Sequence, residues 1–230
     1  MPLSLAEQTS TNRKMLHAHD LQFRYPQGEF ALRIGDLQVQ AGEIVGIMGA
    51  SGAGKTTLLK LLAGILEPQK GTVTVSGQSL QTMTFAARRR FRLEKIGLIF
   101  QDFALLDYLS VEDNLSLPTR LGGVFNVGQK EKTRDFLNRL GISKYRKRPT
   151  CELSQGEQQR VAIIRALLHE PLAIFADEPT SSLDGASKTS VMQLLMEEAK
   201  TRKTSLIVVT HDTELRPWFD RIIDFKDLRQ

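Results

Sequence analysis

Gly49-Ala50-Ser51-Gly52-Ala53-Gly54-Lys55-Thr56 matches G-x-x-x-x-G-K-[ST] at every fixed position. The chemistry explains the spacing. Glycines let successive backbone N–H groups turn inward around phosphate oxygens. A helix opening on the loop adds the partial positive charge of its N-terminus. Lys55 supplies a point charge for the β- and γ-phosphates, and the Thr56 hydroxyl is placed to bind Mg²⁺. A second set follows the apolar run Leu172-Ala173-Ile174-Phe175-Ala176, which delivers Asp177 and Glu178 at its end. In an open α/β sheet that is the end where ligands bind. Asp177 is read as a Mg²⁺ ligand through water, and Glu178 as the group that polarises an attacking water. Alone, the first set could be a glycine-rich turn and the second a pair of solvated acids. Together they point to nucleoside triphosphate chemistry.

These groups need a scaffold that brings them together, and the patterning describes one. Residues 44–48 form a short apolar run, read as a strand buried on both faces, directly before the loop. Residues 57–66 carry Leu58, Leu61, Leu62 and Ile65 at helical spacing, with Pro68 expected to close that helix. Further on, helical stretches at 156–168 and 187–200 alternate with buried strands at 172–176 and 206–209, and a last strand is expected at 222–225. That alternation predicts a mostly parallel α/β sheet. Alternation at 16–25, 32–39 and 71–75, with a turn at Pro26-Gln27-Gly28, predicts a small antiparallel sheet near the start. Residues 111–140 read as helical, broken at Pro118 and at Gly122-Gly123, before the basic stretch 144–148. The predicted fold is therefore α/β: a phosphate-loop core of residues 16–104 and 151–230, with a small antiparallel β subdomain and an inserted helical subdomain at 105–150. Residues 1–14 read as a loose tail.

Composition narrows the class. With 230 residues, 41% hydrophobic and 25% charged, the chain can bury a core without disulfides and is neither collagenous nor largely disordered. The net charge of +5 permits contact with phosphates, nucleic acid or an anionic membrane surface. Cys151 is the single cysteine, so no intrachain disulfide forms, which fits a reducing compartment. No apolar run approaches the roughly 18–20 residues of a membrane span, and the start lacks the apolar core of a secretory signal. The expectation is a cytoplasmic chain whose membrane work needs a separate partner.

Five more segments then fall into a recognisable order: Tyr25 before the loop; Gln101 after Ile96-Gly97-Leu98-Ile99-Phe100; Leu153-Ser154-Gln155-Gly156-Glu157; Ser181-Ser182-Leu183-Asp184 after the acid pair; and His211 after the strand at 206–209. The set resembles the nucleotide-binding subunit of ABC transporters over about residues 16–225, and the Leu-Ser-x-Gly-Glu segment separates that family from other phosphate-loop ATPases. The resemblance implies an ATPase that binds ATP and Mg²⁺ as a head-to-tail homodimer, peripheral on the inner face of the membrane, and drives integral membrane permease subunits. It implies that Gly49, Ala50, Ser51, Gly52, Ala53, Gly54, Lys55, Thr56 and Thr57 hold the phosphates. Tyr25 stacks on adenine, with Phe23 as its rival. Gln101 senses Mg²⁺ and water. Ser154 and Gly156 close over the partner subunit's ATP, Asp184 couples the two sites, and His211 contacts the γ-phosphate. One departure is Gln155, which stands where the family usually has glycine and is expected to lie away from the nucleotide.

Residues 92–101 and 176–184 look like the group of lipoprotein-releasing, macrolide-exporting and cell-division ATPases; the alternative is an amino-acid or metal importer. Only about 19 residues follow His211, which argues against sugar-importer ATPases with an appended domain. A soluble ABC-type ATPase acting on nucleic acid or ribosomes is the rival from another class. Its marks, a second cassette or a long coiled-coil insertion, are not seen, so no direct nucleic-acid contact is expected. The remaining features read as ordinary surface. His17 and His19 lie on one strand face with no acidic or thiol cluster to make them metal ligands. Arg88, Arg89, Arg90 and Arg92 form a solvated helix face. Phe103, Leu105, Leu106, Tyr108 and Leu109 put five apolar or aromatic side chains into seven residues, more than a solvated loop requires, and predict a docking groove for a membrane subunit.

Overall fold

The computed structural model describes residues 14–27, 30–122 and 128–230. The expected tail (apart from Lys14), Gly28 of the first turn and Gly123 of the expected helix break lie outside them.

The early alternation becomes two long strands, β1 (Lys14–Arg24) and β2 (Ala31–Gln40). After β3 (Ile44–Met48) and α1 (Lys55–Leu62) come β4 (Lys70–Val75) and the short β5 (Gln78–Ser79). Strands β2-β1-β4-β5 form the antiparallel sheet. The chain continues through α2 (Phe85–Lys95), β6 (Ile96–Ile99), α3 (Val111–Gly122), α4 (Gln129–Arg139) and α5 (Gln155–Leu167). It ends with β7 (Ala173–Asp177), α6 (Gly185–Arg202), β8 (Ser205–Thr210), β9 (Arg221–Asp224) and α7 (Phe225–Leu228). Strands β6-β7-β8-β3-β9 form a second sheet in which every pair is parallel.

The continuous apolar runs are explained by burial on both faces. Ala173 and Phe175 of β7, with Ile207 and Val209 of β8, face a core shared with α1 and the antiparallel sheet. Their alternates Ile174, Ala176, Leu206 and Val208 face a second core built with α5, α6 and the helical segment before α5. A strand with period-2 side chains and apolar residues at every position can only be satisfied by such a two-sided layer.

Four local expectations are corrected. Helix α1 stops at Leu62, before Pro68: Gly64 takes φ 64°, the left-handed turn that glycine enters without steric cost, and Ile65 is left exposed. Pro118 lies inside α3 instead of ending it; buried Val111, Leu115 and Thr119 hold the helix, and tertiary packing outweighs one lost backbone bond. The last strand ends at Asp224, whose carboxylate accepts from the Lys226 N–H and caps α7. The arginine run is not all solvated. Arg88 is buried and bonds Glu67 at 3.0 Å, and Arg92 donates to the Gly64 carbonyl at 2.7 Å. Burial pulls the Arg92 guanidinium below its ordinary value.

Candidate functional site

The chemistry collects at one edge of the parallel sheet because four neighbouring strands end there. Gln101 follows β6, Asp177 closes β7 with Glu178 behind it, Thr210 closes β8 with His211 behind it, and the glycine loop leaves β3. Tyr25, Phe30, Ser51, Gly52, Gly54, Lys55, Thr56, Thr57, Gln101, Asp177, Glu178 and His211 line a single cleft of about 260 Å³. Gly49, Ala50 and Ala53 belong to the same loop without lining the cleft.

The loop is shaped for an anion. Gly54 sits at φ 107°, and a Cβ there would meet Phe30 at 2.8 Å, so the position admits only glycine. It opens α1 with no side-chain cap and no acid in the first turn. Thr84, Ser154 and Asp184 cap α2, α5 and α6, and α4, which also opens on an uncapped glycine, carries Glu131 in its first turn. The first N–H groups of α1 are thus left to an external acceptor, the usual helix-terminus phosphate site. Lys55, nearly buried, folds back and donates to the carbonyls of Gly49 at 2.7 Å and Ala50 at 2.8 Å.

Glu178 is held at φ 48°, an uncommon conformation for a side-chain-bearing residue. It is 7% exposed. Its carboxylate accepts from the Thr210 hydroxyl at 2.8 Å and from the His211 N–H at 3.0 Å, and it lies 2.6 Å from His211 Nδ1. With Glu178 ionised, Nδ1 carries the proton and the imidazole presents Nε2 for other partners. Its backbone is pinned too: the Glu178 N–H donates to Val209 O, and its carbonyl accepts from Gln159 Nε2 at 3.0 Å. Gln159 is fully buried and also accepts from the Ser182 N–H at 3.1 Å. Sequence reasoning missed Gln159. It stands five residues after Ser154, with nothing in composition to distinguish it from Gln158.

Asp177 is 2% exposed. Burial pushes its carboxyl above the ordinary value, the Thr56 hydroxyl bond opposes this, and the Glu178 charge adds to it. For an acid raised on folding, protonation favours the native state. That contribution is full below the unfolded value and is lost as pH rises through the folded one. Ionised Asp177 is therefore a stability cost in the nucleotide-free protein near neutral pH. Asp177→Asn should raise the melting temperature of that form, as read by calorimetry, while lowering hydrolysis; an unchanged or lower melting temperature would contradict this account. Thr56, Asp177 and Gln101 bring a hydroxyl, a carboxylate and an amide carbonyl into the cleft, an all-oxygen set that suits Mg²⁺.

The adenine candidates are re-ordered. Phe23 is buried beneath Tyr25, edge-on at 4.8 Å, so it is no rival. The second aromatic lining the cleft is Phe30, tilted against Tyr25 at 6.0 Å. It was missed because the turn before it hid which strand edge it joins.

Ser154, Gly156 and Asp184 are not in the cleft. Ser154 starts α5 in a reciprocal cap with Glu157, whose carboxylate accepts the Ser154 N–H at 2.8 Å. Gly156 packs on the next segment, since a Cβ there would meet Ser182 O at 3.2 Å and Leu183 at 3.4 Å. Asp184 caps α6 through the Ser187 N–H at 2.8 Å, and that bond holds its carboxyl below the ordinary value. Gln155 is exposed. Toward its C-terminal end, α5 presents Arg165, which donates to the carbonyls of Phe103 and Ala104, two consecutive residues at positive φ just after Gln101. Burial lowers the Arg165 guanidinium to about 10.

Comparison with known proteins agrees with this geometry. Residues 32–181 match the family model described as ABC transporter. The chain is 36% identical over 210 residues, 90% of its length and 85% of the other, to an uncharacterized ABC transporter ATP-binding protein of Mycobacterium tuberculosis. It is 38% identical over 205 residues, 87% of its length and 61% of the other, to a methionine import ATP-binding protein of Pseudomonas aeruginosa. A dimeric ATP-binding cassette solved in a post-hydrolysis state with ADP and Pi superposes with a TM-score of 0.83 at 30% identity, covering 91% of this chain and 94% of that one. With its phosphate loop, its paired acids and these relatives, the chain belongs to the ABC transporter family, as an ATP-binding cassette ATPase.

Proposed function

We propose that two copies of this chain close head-to-tail around two ATP molecules and drive separate membrane permease subunits from the cytoplasmic face. The observation that carries this is the split site. The phosphate loop, the acids and His211 share one cleft, whereas Ser154 and Gly156 sit on the N-terminus of α5 outside it. A second copy would bring its own α5 terminus over the γ-phosphate, and the dimeric cassette at TM-score 0.83 supports that arrangement.

Within each cleft, the α1 terminus and Lys55 hold the phosphates, Tyr25 stacks on adenine, and Thr56, Asp177 and Gln101 hold Mg²⁺, which neutralises phosphate charge when bound. Glu178 takes the proton of the attacking water. His211, aimed by its Nδ1 bond to Glu178, offers Nε2 to the γ-phosphate. Positioning and charge supply the catalysis. The segment 105–150 acts as a helical subdomain on a core of 16–104 and 151–230.

For the process driven, we favour the lipoprotein-releasing, macrolide-exporting and cell-division group, on the strength of residues 92–101 and 176–184. The methionine import relative favours a second reading, an importer ATPase. Stimulation of hydrolysis by a soluble substrate-binding protein would favour this second reading. Among the described residues no helix is long and apolar enough to cross a membrane, so the test is co-expression with a candidate permease sought in the neighbouring reading frames. Co-elution from solubilised membranes with ATP hydrolysis is expected, and failure to co-elute would sink the reading. In the predicted docking segment, Leu106 and Tyr108 are exposed, while Phe103, Leu105 and Leu109 are partly buried. Leu106→Asp and Tyr108→Asp should keep basal hydrolysis and abolish co-elution. Wild-type yield from both would place docking elsewhere.

A further inference from the structure

The antiparallel sheet carries a polar constellation away from the nucleotide cleft. Strand β1 sends Leu16 and Ala18 into the core, so pleating turns His17 and His19 together onto the opposite face. The sequence expectation that nothing acidic accompanies them is wrong. In the β1–β2 ladder His19 lies opposite Asp36, and His17 opposite Gln38. Cross-strand pairing was the missing information, since Asp36 is 17 residues from His19 in sequence.

The three side chains converge. His17 Nε2 is 2.7 Å from Asp36 Oδ1, and His19 Nδ1 is 3.3 Å from the same oxygen. Ligand atoms of the three residues all lie within 4.8 Å of one another. A tetrahedral Zn²⁺ with bonds of about 2.0–2.2 Å spaces its ligand atoms about 3.3–3.6 Å apart, so small side-chain rotations bring all three onto one ion. The carboxylate is already oriented: Gln38 Nε2 donates to Asp36 Oδ2 at 2.8 Å, the outer bond that ligating carboxylates usually carry. His17 is about one-third exposed, and His19 and Asp36 are more open, so an ion can reach them from solvent.

We propose that His17, His19 and Asp36 form a surface site for a borderline divalent cation, with Zn²⁺ the best match. Two imidazole nitrogens and one carboxylate oxygen suit zinc better than Mg²⁺ or Ca²⁺, which demand mostly oxygen. Three protein ligands leave the fourth tetrahedral position to solvent or to a group from another molecule. The ion takes the place of the hydrogen between His17 Nε2 and Asp36: a neutral His17 ring keeps its proton by moving it to Nδ1, and an imidazolium releases one proton to solvent. Bound metal would staple β1 to the edge strand β2.

The test uses tag-free full-length protein carrying Cys151→Ser, because an exposed thiol also binds zinc. Nucleotide is omitted, because ATP chelates the ion. Zinc titration should shift the imidazole NMR signals of His17 and His19 together by one equivalent and raise the melting temperature. In the His17→Gln/His19→Gln variant that rise should vanish and the tightest zinc-binding step should be lost. Gln38→Leu, which keeps all three ligands, should weaken binding by about 10–100-fold. ATP hydrolysis should be unchanged in both variants, reporting an intact fold. If zinc leaves the His17 and His19 signals of the Cys151→Ser protein unmoved, the proposal is overturned whatever the variants do. Equal affinity in the double variant would overturn it as well.

Discussion

Glu178→Gln should bind ATP with near-normal affinity, hydrolyse it about 10²–10⁴-fold more slowly, and accumulate as an ATP-bound dimer. The substitution keeps the shape: the amide oxygen can still accept from the His211 N–H, and the amide N–H₂ faces the Thr210 hydroxyl, which can turn to accept it. It removes only the group that can take a proton from water. A static dimer then forms because closure precedes chemistry in the proposed cycle. Single-turnover hydrolysis and size-exclusion chromatography in Mg-ATP read both consequences. Hydrolysis at the wild-type rate would make Glu178 a bystander. Loss of ATP binding would instead show that its bonds to Thr210 and His211 mainly hold the cleft together.

Lys55→Ala should remove most nucleotide affinity. In the nucleotide-free chain the ammonium is nearly buried and rests on the Gly49 and Ala50 carbonyls, so it must exchange those acceptors for phosphate oxygens. A charge-assisted hydrogen bond contributes about 1.5–3 kcal/mol net, about 10-fold or more in affinity. The loop geometry should survive, since Gly54 and Phe30 set it independently of the lysine. Calorimetry with a non-hydrolysable ATP analogue reads the loss; unchanged affinity would sink the role given to this loop.

The site was legible where local sequence rules govern it. A glycine loop between a strand and a helix, and acids at a strand's end, are local patterns, and the structure puts both at one sheet edge. Legibility failed where a residue's meaning depends on its cross-strand or cross-helix neighbour. Asp36 joins His17 and His19 only through strand register. Gln159 matters only because α5 passes beside Glu178, and Phe30 replaces Phe23 beside Tyr25 only once β1 and β2 are paired. Element ends erred for a related reason. Pro118 and Pro68 are strong local breakers, but packing of α3 overrode the first, and Gly64 ended α1 before the second could act.

Helix α5 touches three places that sequence distance keeps apart. Its first turn carries Ser154 and Gly156, its middle holds the Glu178 carbonyl through Gln159, and Arg165 grips the turn after Gln101. Thirteen residues make a rod about 20 Å long, and a hydrogen-bonded helix of that length tilts before it stretches. Whatever presses on its exposed end is therefore felt as torque at the Glu178 backbone and at the loop beyond Gln101 at once. Because one rigid helix carries all three attachments, a tilt that moves the far end also moves the backbone of Glu178, the residue proposed above to accept the proton of water.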